Sequence, residues 1–305
     1  MIPKPMLGFL RRLLALTYVL NDVYDHFRFS APEDGLFSRR LKASSKTTIL
    51  EKDLHRIEKA LSLANAKRSF GAESAYRIKT FLRNNSESNN STYILRSKLA
   101  LEARDRWTSD ADRADGVLTE KVGPFTDNSD VEVFDKFFKS RRSIRNFAKT
   151  PPTEDQISKA IEWSINTPSV CNRQGWHVWY VTEPILLEKI LRLQNGNSGF
   201  DNLNAILIFG GNRKKYTLGS ERNQIWIDGG LFAMSTIWAL HAQGLGTCFL
   251  NWATSPRKTQ KLRNLIGASR NIEFTTLCAV GAFESNTLVA ISPRKLPSKY
   301  VEFLK

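Results

Sequence analysis

Apolar positions in the first part of the chain follow the period of an α-helix. Between residues 47 and 64 they recur every three or four residues, which predicts a helix with one buried face. Thr48 and Glu51 have the spacing of a capping box, so we expect the helix to begin at Thr48. The predicted buried face consists of Leu50, Leu54, Ile57, Leu61 and Ala64. This period favours a mainly helical N-terminal part.

The pattern changes after the polar stretch at 109–130, which we interpret as a linker. Short apolar runs rich in aromatic and β-branched residues then predict strands at "HVWYV", "AILIFG", "TCFL" and "FTTLCAVGAF". We therefore expect a helical domain with its linker over residues 1–128 and an α+β or α/β domain over residues 129–305.

Three helices are predicted between and before these strands. Phe134, Phe137 and Phe138 form one helical stripe, and "PTEDQISKAIEWSIN" predicts a second helix, capped by Thr153 with Gln156. The run "DGGLFAMSTIWALHAQGLG" is apolar nearly all round, which predicts a buried central helix. That helix is expected to end at Gly244 or Gly246.

The N-terminal sequence begins with an apolar, basic segment. Its apolar run, 13–20, is too short for a transmembrane helix and no cleavage motif of a signal sequence follows it. A helix there would carry an apolar stripe beside Arg11 and Arg12. That stripe consists of Leu7, Leu10, Leu14 and Tyr18. We favour a terminal helix packed on the protein, with a helix lying on a membrane surface as the alternative.

The net charge indicates which kinds of partner the protein could bind, and the cysteines indicate its cellular compartment. The 305 residues include 45 Lys and Arg against 30 Asp and Glu, and the net charge of +15 favours phosphates, nucleic acid or acidic membrane surfaces. Cys171, Cys248 and Cys278 lie far apart without a C-x-x-C motif, so we expect neither disulfides nor a zinc site. No metal is expected, and free thiols favour a cytoplasmic protein.

Two polar segments carry the candidate chemistry. In "RRSIRNF", an extended backbone would place Arg141, Ser143 and Arg145 on one side. The segment "TPSVCNRQGW" joins a predicted helix to a strand and carries amide and hydroxyl side chains. Arginines suit a phosphate or an electron-rich carbonyl, while amides suit the imide edge of a heteroaromatic ring, so a nucleotide-like ligand is indicated. A solvated arginine-rich loop is the alternative.

The glycine motifs do not indicate a dinucleotide fold or a P-loop. "GLGTCF" runs from a helix into a strand and lacks the third glycine of a Rossmann loop, and "FGGNRKK" lacks the G-K-[ST] element. Any nucleotide-like ligand is therefore held in another way.

Four stretches in order resemble the FMN-dependent nitroreductase family over residues 130–305: R-R-S-x-R-x-F, P-S-x-x-N-x-Q, an apolar helix ending in G-L-G-T-C, and the basic pair of "SPRKLP". The resemblance implies an α+β fold with a mixed sheet, flanking helices and a buried central helix. It also implies a homodimer with two FMN sites at the subunit interface. The implied activity is reduction of nitroaromatics, quinones or related small acceptors with NADH or NADPH.

The resemblance further implies a set of FMN-binding residues. Arg145 would place its charge near flavin N1 and C2=O, and the loop at Phe249, Leu250 and Asn251 would offer a backbone N–H to flavin N5, so Arg145 and Asn251 are the expected catalytic residues. Arg294 or Lys295 would meet the phosphate. The remaining cofactor-binding residues implied are Arg141, Arg142, Ser143, Pro168, Ser169, Asn172 and Gln174. Cys171 is interpreted as a space-filling residue.

Two features depart from the family pattern. Gly175 stands where the family usually has proline, and the N-terminal part lies outside the common core. Its "HRIEKALS" and "FGAES" look similar to extensions of nitroreductase-like proteins associated with surface-polysaccharide genes. Two alternatives follow: a specialised flavoenzyme acting on a cell-envelope or polysaccharide intermediate, and a basic module that binds nucleic acid or an acidic surface, for which we find no motif.

Overall fold

The structure is a computed structural model that describes residues 4–31, 43–63, 66–85, 91–110, 118, 130–200, 202–217 and 219–304. Most of the predicted linker lies outside these residues. The first part contains four helices: α1 (Lys4–Phe29), α2 (Ala43–Ser62), α3 (Ala72–Asn84) and α4 (Ser91–Asp110). The helical prediction for this part is confirmed.

Helices α2, α3 and α4 pack around one apolar cluster. Leu50, Leu54, Ile57 and Leu61 of α2 are all buried in it, as the period predicted, whereas Ala64 lies outside the described residues. Beside the cluster, the Arg77 guanidinium donates to both oxygens of Asp53, each at 2.6 Å. A bidentate, buried ion pair therefore fixes α3 against α2.

The predicted capping box of α2 is wrong, because the helix begins five residues earlier, at Ala43. The Thr48 hydroxyl instead donates to the carbonyl of Lys214 at 2.6 Å. Glu51 accepts hydrogen bonds from Tyr93 and from the ammonium group of Lys215, both at 2.5 Å. Both side chains thus join α2 to other segments, in a way that local spacing could not predict.

The second part alternates helices with strands. In chain order these are α5 (Val131–Ser140), α6 (Glu154–Ser164), β1 (Trp176–Val181), α7 (Pro184–Leu191), β2 (Ile206–Asn212), α8 (Gln224–Ala242), β3 (Gly246–Leu250), α9 (Pro256–Ile266) and β4 (Ile272–Gly281). Short 3-10 turns occupy 170–172, 213–215 and 297–299. All four predicted strands are present.

The strands form one sheet in the order β1-β2-β4-β3, and all three pairings are antiparallel. Parallel pairing among the described residues is limited to isolated bridges, including one from Ser143 to Thr247. Alternate side chains of β2 point to opposite faces. Leu207 and Phe209 pack toward α8, whereas Ile206 and Ile208 pack in the cluster that includes α7 and α9. The α+β fold is confirmed.

Local capping signals in this part are confirmed. Thr153 and Gln156 form both hydrogen bonds of the capping box at α6. Of the two glycines considered at the end of α8, Gly244 terminates it with φ +75°, and the Leu245 N–H bonds to the carbonyl of Leu240. The helix is not buried all round, because Trp226, Ile227 and Leu231 are exposed on one side.

The two parts meet through paired charges around the buried Arg213. Asp22 of α1 accepts hydrogen bonds from Arg213 and Arg222, each at 2.6 Å, and Arg213 also donates to Glu273 of β4 at 2.7 Å. The backbone N–H of Ala31 donates to the carbonyl of Tyr216 at 2.8 Å. Helix α1 is therefore fixed to the sheet domain by paired charges and a backbone bond.

We expect Asp22→Asn to lower the free energy of unfolding at pH 7 by about 1–3 kcal/mol, because it removes charge-assisted hydrogen bonds. Burial alone would raise the pKa of Asp22, but the bonds from Arg213 and Arg222 outweigh it and hold that pKa below its ordinary value. A depressed carboxyl pKa stabilises the fold above the unfolded-state pKa of about 4 and loses this effect as the pH falls further. The difference between wild type and variant should therefore shrink in urea unfolding at lower pH.

Asp135→Asn provides the control for this measurement. Asp135 is an exposed carboxylate that pairs with Lys139 on the surface of α5, so its loss should cost less than about 0.5 kcal/mol. Equal losses for the two variants at pH 7 would contradict a special role for Asp22.

Candidate functional site

The arginine segment, residues 141–147, runs in extended form along the edge strand β3. The N–H of Ile144 donates to the carbonyl of Thr247 at 3.0 Å. Ile144 and Phe147 are buried, whereas Arg141, Ser143 and Arg145 are partly or fully exposed. The predicted placement of these three polar side chains on one side is thus supported by the burial pattern.

A cavity of about 620 Å³, here called the arginine cavity, lies beside this segment. Arg141, Arg142 and Arg294 line it together with Met234 and Trp238 of α8. The Arg141 guanidinium lies 5.9 Å from the centroid of the Trp238 ring. Two distant parts of the sequence therefore converge on one cavity that has an apolar wall, three arginines and Lys139, which pairs with Asp135.

The arginines of this region are not neutralised by carboxylates. None of the ion pairs among the described residues involves Arg141, Arg142, Arg145 or Arg294. Arg142 and Arg294 donate instead to backbone carbonyls. Lys295 is exposed and does not line the cavity. The cavity is therefore suited to an anionic group, with Arg294 as the nearer member of the basic pair.

The amide loop, residues 168–174, has an unusual backbone. Cys171, Asn172 and Gln174 have φ values of 49°, 50° and 49°, in the left-handed region that non-glycine residues rarely adopt. The Gln174 N–H donates to the Ser169 hydroxyl at 2.9 Å, and the Gln174 side chain donates to that of Asn172 at 3.0 Å. Pro168 is exposed at the start of the loop. The predicted polar residues therefore hold the loop's own shape.

Strain of this kind persists only where surrounding groups fix the backbone. The buried carboxylate of Asp228 accepts from the Val170 N–H at 3.2 Å, from Gln224 at 2.8 Å and from the Tyr216 hydroxyl at 3.3 Å. Asp228 was not among the predicted site residues. A single acid in an otherwise apolar helix was the available signal, since a buried carboxylate requires partners.

Arg173 anchors the end of the amide loop in the protein interior. Its side chain is fully buried, donates to Glu221 at 2.7 Å and lies 5.7 Å from the centroid of the Tyr216 ring. Burial would raise the pKa of Glu221, but Arg173 and the Thr217 N–H outweigh it and lower that pKa. The carboxylate therefore remains charged and keeps Arg173 in place.

Helix α2 packs against the turn at 170–172, so the N-terminal part reaches the amide loop. Burial raises the pKa of the Cys171 thiol, and the opposing effects of Arg173, Lys52 and Arg56 do not offset it. A raised pKa keeps the sulfur protonated and unreactive. This agrees with the interpretation of Cys171 as a space-filling residue.

The loop after β3 is held by backbone and amide hydrogen bonds. Leu250 is buried, while the exposed Asn251 accepts the Ala253 N–H through its side chain at 3.0 Å. The carbonyl of Asn251 accepts from the Gln194 side chain, also at 3.0 Å. Gln194 is a further residue that sequence reasoning missed. It fixes the backbone at the position where a donor to a ligand was predicted.

Helix α8 separates the two predicted segments within one chain. Asp228 lies under the amide loop. Met234 and Trp238, which line the arginine cavity, lie six and ten residues farther along the helix, which corresponds to about 9–15 Å. No residue of the amide loop lines the cavity. The structure thus brings Arg141, Arg142 and Arg294 together, but it does not bring Ser169, Asn172 and Gln174 to them in the same chain.

We expect Gly175→Ala to destabilise the fold by about 1–3 kcal/mol, because a Cβ there would lie 2.7 Å from the hydroxyl oxygen of Tyr216. Adding Tyr216→Phe removes that oxygen, so the cost of Gly175→Ala should be smaller in the Tyr216→Phe background. Urea unfolding of the four proteins in this cycle gives the coupling energy.

Gly230→Ala is the matched control, since its Cβ would meet nothing within 4 Å on an exposed side of α8. It should be neutral or stabilising by up to about 1 kcal/mol. Strictly additive losses for Gly175→Ala and Tyr216→Phe would show that the two residues do not compete for the same space.

Comparison with known proteins gives the same assignment as the motifs. Residues 138–197 match the model of the Nitroreductase family. A protein of Archaeoglobus fulgidus named as an NADH dehydrogenase/NAD(P)H nitroreductase is 23% identical over 147 residues, which cover 48% of this chain and 83% of that protein.

Solved structures share the architecture of the second part of the chain. A nitroreductase of Bacillus subtilis, YdfN, aligns with a TM-score of 0.50 and 17% identity over 57% of this chain and 99% of that one. An FMN-dependent nitroreductase of Clostridium difficile aligns with a TM-score of 0.47 and 19% identity over 56% and 99%. The predicted resemblance is therefore confirmed: residues 138–197 carry the sequence pattern of the nitroreductase family, within a region that has the nitroreductase fold.

Proposed function

We propose that residues 129–305 form an FMN-binding domain and that the protein transfers hydride from NADH or NADPH to a nitroaromatic, a quinone or a related small acceptor. The observation that carries this proposal is the arginine cavity, in which three unneutralised guanidinium groups face an apolar wall that includes Trp238. Such a cavity suits a ligand with both a phosphate and a flat ring system. The name of the Archaeoglobus fulgidus relative supports the same class of reaction.

The residues present fit FMN in their chemistry. Arg294 and Arg142 would hold the phosphate, and the amide loop would provide Ser169, Asn172 and Gln174 for the polar edge of the ring. When bound, FMN supplies the hydride-transfer chemistry, so the protein needs no nucleophile or metal of its own. The roles left to the chain are binding, orientation and electrostatics.

Two of the proposed residues, Arg145 and Asn251, would stabilise charge on the flavin ring and fix its position. Arg145 is exposed, has no carboxylate partner among the described residues, and lies close enough to Cys248 to oppose the rise that burial causes in that thiol's pKa. It would hold a positive charge at the ring's electron-rich edge. Asn251, fixed through Ala253 and Gln194, would set the backbone that faces the ring's reactive centre.

We also propose that the protein is a homodimer. The arginine cavity begins about 9 Å along α8 from Asp228 and is lined by no residue of the amide loop, which supports a ligand site that takes the two from different subunits. Apolar side chains are also exposed on α8, on α5 and along 282–304, where Leu288, Ile291 and Phe303 are more than four-fifths exposed. Surfaces of this kind are typical of subunit interfaces.

A specialised acceptor is the second candidate, favoured by the position of α2. This helix packs on the turn at 170–172, and Lys52 and Arg56 act electrostatically on Cys171 within it. Cations of an additional helix beside a flavin loop would favour an acceptor with negative charge, such as a polysaccharide or cell-envelope intermediate. The three free cysteines favour a cytoplasmic site of action in either case.

The test of this function is FMN binding by the purified protein, followed by absorbance and fluorescence. We expect bound or reconstituted FMN, and NAD(P)H oxidation with a nitroaromatic or quinone acceptor. Arg294→Ala should weaken FMN binding by about 1.5–3 kcal/mol, or roughly 10- to 150-fold, while changing riboflavin binding little, because only the phosphate contact is lost.

Lys295→Ala is the matched control, because Lys295 neighbours Arg294 but does not line the cavity. It should bind FMN like the wild type. A colourless protein that FMN cannot reconstitute would contradict the proposed function, whereas equal weakening of FMN and riboflavin would contradict only the phosphate role of Arg294.

Arg145→Ala should lower the midpoint potential of bound FMN by roughly 30–60 mV. A hydrogen bond to a charged group contributes about 1.5–3 kcal/mol, and about 30 mV corresponds to about 1.4 kcal/mol for a two-electron couple. The sign follows because the positive charge favours the redox state with more negative charge. Spectroelectrochemical titration gives the potential.

Arg145→Lys should recover part of this shift, since it restores the charge without the planar guanidinium. Lys149→Ala removes an exposed cation four positions away and should leave the potential unchanged. An unchanged potential in Arg145→Ala with FMN still bound would remove Arg145 from the flavin edge.

A further inference from the structure

Helix α1 faces the rest of the protein with its polar side. Asp22 pairs with Arg213 and Arg222, and Asp25 lies 3.4 Å from a guanidinium nitrogen of Arg270. His26 is buried and bonds to the Ser30 hydroxyl at 3.0 Å. In a surface helix the apolar side normally faces the core, so the orientation of α1 is reversed.

The outward side of α1 is apolar over the part whose side chains are described. Leu16, Val19, Leu20, Tyr24 and Phe27 are 52%, 53%, 57%, 53% and 69% exposed. Positions 16, 20, 24 and 27 have the spacing of one helical face. The same spacing continues in the sequence toward the N-terminus at Phe9 and Leu13. This outward stripe is a continuous apolar surface and not a set of scattered side chains.

The charged residues of α1 that are not turned toward the protein are cations. The sequence has Lys4, Arg11 and Arg12 but no acidic residue before Asp22, and both acids of α1 are turned toward the protein and paired. Arg28 is exposed at the end of the helix. The neighbouring α9 contains no acid and adds two exposed cations, Arg257 and Lys261, whereas its Arg263 is buried. Apolar side chains flanked by cations match the interface of an anionic lipid bilayer.

We propose that α1 lies on the surface of an anionic phospholipid membrane, with the outward stripe inserted among the lipids and the catalytic part held above it. Among the described residues no helix is long and apolar enough to cross a membrane. A second copy of this chain fits the stripe less well, because a two-fold contact would bring two basic surroundings of the same sign together.

Helix α1 has a second side, which packs on the protein. Tyr18, which belongs to the stripe predicted from the sequence, lines a cavity between α1 and the second part of the chain together with Asp22 and Arg263. That stripe therefore faces the protein at the one position whose side chain is described. The outward stripe is a different set of residues, so one helix can pack on the protein and contact lipid at once.

The test is co-sedimentation of the full-length protein with vesicles of phosphatidylcholine, with or without about one third phosphatidylserine. We expect binding to the anionic vesicles, weaker binding to the neutral ones, and a loss at high salt. The double variant Leu20→Glu/Phe27→Glu should reduce partitioning at least about tenfold, because it removes two inserted side chains and adds two repelled charges.

The matched control is Tyr76→Glu/Leu95→Glu, which makes the same change of charge at exposed apolar positions of α3 and α4. It should partition like the wild type. Failure of the wild type to bind anionic vesicles, or equal losses in both double variants, would overturn the proposal.

Sedimentation equilibrium without lipid tests whether a second copy of the chain covers the outward stripe instead. We expect the same mass for the wild type and Leu20→Glu/Phe27→Glu. A fall in mass confined to that variant would assign the stripe to a second copy of the chain instead. None of these measurements depends on FMN, so the membrane proposal can fail while the proposed function stands.

Discussion

The carboxylate of Asp228 is buried within an apolar helix, and much of the candidate site depends on the groups that satisfy it. A buried charge without partners costs several kcal/mol, so its surroundings cannot vary freely. Its acceptors are filled by the Val170 N–H, the Gln224 side chain and the Tyr216 hydroxyl. These three donors belong to the amide loop, the start of α8 and the segment after β2. One carboxylate thereby fixes the relative positions of three segments.

The segment at 213–217 connects Asp228 to the N-terminal part through hydrogen bonds. Tyr216 contacts Asp228 through its hydroxyl, while its carbonyl accepts the Ala31 N–H. The neighbouring Lys214 and Lys215 bond to α2, and Arg213 bonds to α1 through Asp22. The same five residues thus support the amide loop and hold two helices of the N-terminal part. Any change in the docking of these helices is therefore expected to affect the loop.

Features that depend on neighbours in sequence were predictable from sequence. The strands, the central helix, the capping box of α6 and the alternation of Ile144 with Ser143 and Arg145 all follow from local period and local hydrogen bonds. The Thr48 prediction failed because its real partner, Lys214, is 166 positions away. A local rule identifies a suitable side chain, but it does not identify which of several competing acceptors that side chain will use.

In the candidate site, too, local motifs were predictable from sequence, whereas contacts between distant residues were not. The motifs identified the arginines and amides, but not the residues that hold them, because Arg173, Tyr216, Asp228 and Glu221 act only through the folded arrangement. The choice between Arg294 and Lys295 also required the cavity, since both are basic and adjacent in sequence. The remaining sequence signal was a charged residue within an apolar run. Asp228 is such a residue, and its burial required the partners that shape the site.

The length of α8 has a consequence for how ligand binding and assembly are related. Because the amide loop contacts α8 at Asp228 and the arginine cavity begins about 9 Å farther along the helix, no residue of the loop lines the cavity of the same chain. In the proposed dimer, each ligand contacts the cavity of one subunit and the loop of its partner. Binding energy then stabilises the dimer relative to its separated subunits by mass action. In that dimer, assembly would complete the site, so the factor by which the cofactor strengthens subunit association would equal the factor by which association strengthens cofactor binding.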